Sequence, residues 1–181
     1  AIGRNKRIRE LHMSNERVRE IDRNAYECIE ALYRGLESNR SISKLGLDGD
    51  LFPDDGTLPI LNLQNARFKS RLKHLEIHNF ETTTNNFSLM ISSALEDMSL
   101  ESLDISKVGR GVDEQFQRIV LACQKVKSLT VNRITTSQCA IVGALLGNTA
   151  SVVNEVYLND EHFGRIDEEG LASIADGLVG N

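Results

Sequence analysis

The chain has no tryptophan, only two prolines, three cysteines and few aromatic residues of any kind. It also has no long apolar run. Ala140 to Leu146, interrupted by Gly143, is among the longest, far short of the ~20 residues a helix needs to cross a bilayer. No membrane span is therefore expected. No basic start leads into an apolar stretch, so no signal peptide is expected either. The three cysteines, Cys28, Cys123 and Cys139, are odd in number and share no C-x-x-C spacing, which argues against a disulfide framework or a cysteine zinc site. Each falls among apolar neighbours in a helical pattern, where a reduced cysteine serves as a small hydrophobe. That usage points to a reducing, cytoplasmic interior. A phosphate-binding loop is also missing, because Gly109-Arg110-Gly111 lacks the following glycine and lysine.

What is present suits a folded, soluble protein: 40% hydrophobic and 26% charged residues over 181 positions, with a net charge of −5. The charge is uneven. The first 23 residues carry Arg4, Lys6, Arg7, Arg9, Arg17, Arg19 and Arg23 against Glu10, Glu16, Glu20 and Asp22. A basic start can touch an anionic surface. Here the signs alternate and no aromatics intervene, so a solvated first strand and loop is the better reading and no nucleic acid is expected.

The dominant feature is a pattern, apolar-x-x-apolar-x-apolar, that occurs six times. It reads Ile8-x-x-Leu11-x-Met13, Ile42-x-x-Leu45-x-Leu47, Leu72-x-x-Leu75-x-Ile77, Leu100-x-x-Leu103-x-Ile105, Val126-x-x-Leu129-x-Val131 and Val153-x-x-Val156-x-Leu158. The starts at 8, 42, 72, 100, 126 and 153 are 26 to 34 residues apart, a repeat-array period. Alternation at the last two apolar positions predicts a short strand with one buried face. Strands are expected near 8–14, 42–48, 72–78, 100–106, 126–132 and 153–159.

Apolar residues at helical spacing follow five of the strands. They are Tyr26, Ile29, Leu32, Tyr33 and Leu36; Phe87, Ile91, Ala94, Leu95 and Met98; Phe116, Ile119, Val120 and Cys123; Cys139, Val142, Leu145 and Leu146; and Leu171, Ile174, Ala175 and Leu178. Thr136 or Ser137 can cap the fifth helix, and Asp113 and Asp167 put negative charge at the fourth and sixth N-termini. Pro53 and Pro59 punctuate the second unit, and 58–68 shows no clean helical face. Units of this kind bury their apolar faces only by stacking, which predicts an α/β fold with a parallel sheet on one side and helices on the other. Helices pack ~8–10 Å apart and strands ~4.8 Å apart, so the stack should curve with its strands inside.

These six motifs resemble those of the leucine-rich repeat family, and the period is most similar to the ribonuclease-inhibitor-type class, which includes the Ran GTPase-activating proteins. Leu36-Glu37-Ser38-Asn39-Arg40-Ser41-Ile42 resembles its helix-to-strand joint, and Gly170 to Leu178 its helix. The resemblance implies a solenoid, a curved horseshoe segment with a concave sheet and convex helices, over residues 1–181 as one array of about six units. The family's asparagine, three positions after the last motif residue, is missing. Glu16, Asp50, Phe80, Val108, Ile134 and Glu161 stand there instead, so the turns must satisfy their backbone in another way. Neither end carries a polar cap, so the chain is expected to be part of a longer array, or to contact a partner through its ends.

Function is expected on the outward strand positions. One row reads His12, Gly46, Glu76, Asp104, Thr130, Tyr157, and the next Ser14, Asp48, His78, Ser106, Asn132, Asn159. A polar, mildly acidic face with one aromatic suits a polar or basic protein surface better than a large apolar ligand. Asp48, Glu76, His78, Asp104, Asn132, Tyr157 and Asn159 are the candidate contacts. His74, Glu76 and His78 share a strand face and could converge on zinc with Asp104 or His12, but an open sheet offers no second shell, so no metal site is assigned. Ser106 near His78 lacks an oxyanion hole. We therefore expect a non-catalytic protein-interaction module without cofactors. The alternatives are a GTPase-activating or regulatory protein acting on a bound G protein, with Arg110 and Arg133 as the loop arginines, and a structural subunit of a larger assembly.

Overall fold

In the computed structural model the described residues are 4–13, 34–48, 70–79, 85–106, 113–159 and 166–179, together with Glu27 and Ala31. The expected helix residues Tyr26, Cys28, Ile29, Leu32 and Tyr33, the 58–68 segment, and Arg110 lie outside them. Six strands form one sheet: β1 (Glu10–Met13), β2 (Lys44–Asp48), β3 (His74–His78), β4 (Ser102–Ser106), β5 (Ser128–Asn132) and β6 (Glu155–Asn159). All neighbours pair in parallel and the order follows the sequence. The motif sets the register. Leu11, Leu45, Leu75, Leu103, Leu129 and Val156 lie opposite one another across the sheet.

Each strand starts two residues later than the motif does, because the first apolar residue is a corner. Ile42 N donates to Asn39 Oδ1 at 2.9 Å, and Val126 N donates to the Cys123 carbonyl at 3.0 Å. Both bonds turn back locally instead of entering the ladder. The corner side chains are nonetheless buried, as Ile42, Leu72, Leu100 and Val126 show.

Residues 34–38 are helical and bury Leu36, and four further helices are described in full: α1 (Asn85–Glu96), α2 (Asp113–Leu121), α3 (Thr136–Leu146) and α4 (Glu168–Val179). A 3-10 turn, Ala122–Lys125, extends α2. The helices pack in chain order, α1 on α2, α2 on α3 and α3 on α4. Ile91, Ala94 and Leu95 of α1, Phe116, Ile119 and Val120 of α2, and Cys139, Val142 and Leu145 of α3 share one core with the inward strand residues. Burying a leucine- or isoleucine-sized side chain contributes about 1.5–3 kcal/mol, so this shared core holds the stack together. Cys123 and Cys139 are free and buried, and burial raises both thiols above their ordinary range. No helix among the described residues is long and apolar enough to cross a membrane.

The cap of α3 is Thr135, one residue before the expected Thr136 or Ser137. Its Oγ1 accepts from Gln138 N, and Gln138 Oε1 accepts from Thr135 N, closing a capping box. Thr135→Ala should cost about 1 kcal/mol, read as a lowered midpoint in urea unfolding with an unchanged slope. At α4, Asp167 Oδ1 accepts from Gly170 N at 2.9 Å. That bond is the first cause holding the Asp167 carboxyl below its usual range.

The sixth unit departs from expectation. Leu171 and Leu178 of α4 are exposed, and Gly170 is the buried residue of that helix. α4 meets α3 through glycine, not through leucines. A Cβ on Gly143 would stand 2.2 Å from the Ser173 carbonyl oxygen, and one on Gly177 2.1 Å from that of Gly143. The two backbones touch there, which only glycine permits.

The missing turn asparagine has a counterpart at the opposite corner. Asn39 is buried, and its Oδ1 accepts from the backbone N–H of Ser41 (2.7 Å) and of Ile42 (2.9 Å). Its Nδ2 donates to the Asn5 carbonyl at 2.9 Å. Asn5 Oδ1 in turn accepts from Arg7 N and Ile8 N. Both asparagines stand three residues before a motif start, so they satisfy the backbone where the chain enters a strand. Among the positions where the family asparagine would stand, Ile134 is described and is buried.

Candidate functional site

Alternation decides which side chains reach the open face. The β3, β4 and β5 strands each bury their second and fourth residues and leave the first, third and fifth half-exposed. The pairing lines up Lys44, His74, Ser102, Ser128 and Glu155 in one row. His12, Gly46, Glu76, Asp104, Thr130 and Tyr157 form a second. Asp48, His78, Ser106, Asn132 and Asn159 form a third. The seven candidate residues therefore share one face, although they are far apart in sequence.

The β1–β3 side of this face is internally paired. Glu76 Oε1 lies 2.8 Å from Lys44 Nζ, and Oε2 lies 3.2 Å from His12 Nδ1. His12 and Glu76 stand on strands separated by β2, roughly 9–10 Å apart at the backbone. They meet because residue 46 between them is glycine. A Cβ there would stand 2.0 Å from His12 Nδ1. Burial pushes the Glu76 carboxyl up, but the hydrogen bonds and charges of Lys44 and His12 outweigh it and hold it below the usual carboxylate range. Lys44 is raised in turn, first by its hydrogen bond to Glu76.

Asp48 is similarly occupied. It is buried, and Asn79 Nδ2 donates to both carboxylate oxygens, at 3.1 and 3.0 Å. Asn79 can do this because it leaves β3 with a positive φ of 57°, a conformation asparagine tolerates. Asp48 is thus buried and hydrogen-bonded, where an exposed position was expected.

The histidines do not converge. His74 Nδ1 lies 2.8 Å from Ser102 Oγ, and its Nε2 lies 3.7 Å from Glu101 Oε2, which points it toward β4 and away from Glu76. Lys73 pairs with the other oxygen of Glu101. His78 stands edge-on to His12 with ring centroids 6.0 Å apart, and its Nε2 lies 3.7 Å from Asp104 Oδ1. Among the described residues, no group of three His, Cys, Asp or Glu side chains is placed to hold a metal ion.

The strand exits of β3 to β6 form a polar pocket of about 390 Å³, lined by His78, Asn79, Asp104, Ser106, Thr130, Asn132, Arg133 and Asn159. Asn132 Nδ2 donates to Asp104 Oδ1 at 2.8 Å. Arg133 has a positive φ of 61°, and its N–H donates to the Asn159 carbonyl at 3.1 Å, closing the rim. Partial burial is the main cause that raises the Asp104 carboxyl, and the nearby Glu76 charge adds to it against the opposing pull of His78 and Asn132. Of the three acids expected to make contacts, Asp104 alone opens onto this pocket. Tyr157 is 56% exposed on the neighbouring row. Asn79, Ser106, Thr130 and Arg133 complete the site. Ser106 and Thr130 were legible as row members, whereas the roles of Asn79 and Arg133 depend on backbone conformation. Comparison with protein-family models, curated proteins and solved structures finds no match for the chain.

Proposed function

We propose that the chain is a divergent leucine-rich-repeat-type solenoid that acts as a non-catalytic, intracellular protein-interaction module through its open sheet face. The observation that carries this reading is a six-stranded all-parallel sheet with helices packed on one side and half-exposed polar rows on the other. Parallel sheets ordinarily have both faces covered, and a face left half-exposed among the described residues of β3 to β5 suits a solenoid that receives another protein. The free, buried thiols of Cys123 and Cys139 suit a reducing compartment.

The interactive part of the face is its β4–β6 side, since the acids on β2 and β3 are already paired. An Asp104→Ala/Tyr157→Ala variant should keep its circular dichroism spectrum and lose the partner that wild type captures from native lysate. Retention of the same partner by the folded variant would move the interface off this face and overturn the reading.

A further inference from the structure

We propose that the notch above Thr130, between Asp104 and Tyr157, receives an arginine side chain of the partner. The inference rests on the interaction reading above and names the chemistry of its anchor. Asp104, Thr130 and Tyr157 are register partners on three consecutive strands, so the backbones carrying the acid and the phenol are roughly 9–10 Å apart with a small side chain between them. That gap accommodates one planar cation.

Four features select a guanidinium. Asp104 Oδ1 is taken by Asn132, while Oδ2 makes no hydrogen bond among the described residues, and the side chain is 32% exposed. Its neighbours do not neutralise it fully: Lys44 is committed to Glu76, and His78 Nε2 stands 3.7 Å away without a hydrogen-bond partner. A half-buried carboxylate of this kind gains more from an incoming cation than an exposed one does, because less water competes for it. Acceptors also ring the pocket, with Thr130, Asn132 and Asn159 beside Asp104. Arginine presents five donors in a fixed fork and lies flat against aromatic rings, which matches acceptors on one side and Tyr157 on the other. A lysine ammonium would satisfy Asp104 but would use neither the fork geometry nor the ring. Arg133, the like charge on the rim, has an interaction of its own.

The test is a titration of the 15N-labelled chain with N-acetyl-arginine amide, with the lysine, glutamine and glutamate analogues as comparators. The arginine probe should shift the amide signals of Thr130, Asn132, Arg133 and Asn159 saturably, on the order of millimolar for a single side chain. The lysine probe should bind several-fold more weakly, and the other two should not bind. Asp104→Asn, which keeps the side-chain size, should abolish saturation. Thr130→Leu, which keeps the carboxylate but fills the notch, should do the same, with both variants otherwise retaining the wild-type spectrum. Absence of saturable shifts, or equal shifts in Asp104→Asn, would overturn the proposal. The probe needs no partner protein, so the arginine notch can fail while the interaction reading stands, and partner capture can fail while the notch stands.

Discussion

Leu103→Asp is expected to leave the chain unfolded at room temperature. Leu103 is fully buried in β4, with Leu75 and Leu129 as its register neighbours on either side. The substitution removes about 2–3 kcal/mol of apolar burial. It also places a carboxylate where it has no cation and no donor, a cost of several kcal/mol even after the group takes up a proton. A domain of this size is stable by about 5–15 kcal/mol in total, so the two losses together consume most or all of it. The new carboxyl would have a raised folded-state pKa, so its penalty should ease as pH falls toward the protonated form. Thermal unfolding followed by circular dichroism checks the result. Asp104→Asn is the internal control. It lies one residue along on the opposite face, and its melting curve should stay close to wild type. A one-residue slip in register would exchange the two outcomes. A wild-type melt for Leu103→Asp would show that the strand faces are wrongly assigned.

Gly143→Ala is expected to detach α4 while leaving the rest of the core folded. Two effects of opposite sign compete. In an open helix, alanine improves on glycine by about 1 kcal/mol. Here the added Cβ would stand 2.2 Å from the Ser173 carbonyl oxygen, a backbone atom that cannot rotate aside. Overpacking of this sort costs about 1–3 kcal/mol and sometimes more, so the steric term should win. The damage is local because, among the described residues, α4 packs on one helix, α3, and has few buried side chains of its own. Faster proteolysis within 166–179 and a loss of helical signal equivalent to one helix are the expected readouts. The thermal midpoint should fall by about 2–4 °C for each kcal/mol lost. A higher midpoint would mean that propensity dominates and that the two helix backbones are not in contact.

The sequence by itself determined the α/β class, the six strands, their inward residues and two of the outward rows. Those features follow from a two-residue period inside a repeat of about thirty, and both are visible along the chain. The helical faces of Ile91 to Leu95, Phe116 to Cys123 and Cys139 to Leu146 were legible for the same reason. Tertiary structure decided how the outward residues are used. Nothing in the rows says that Asp48 would be held by Asn79, since that bond requires a left-handed residue at the end of β3. Nothing says that Glu76 would be claimed by Lys44 and, across Gly46, by His12. The cap at Thr135 and the glycine contact between α3 and α4 were hidden in the same way. Periodicity specifies the direction in which a side chain leaves the backbone. Which neighbour it then meets depends on the size and charge of residues about thirty positions away, and only the stacking of one strand against the next brings those together.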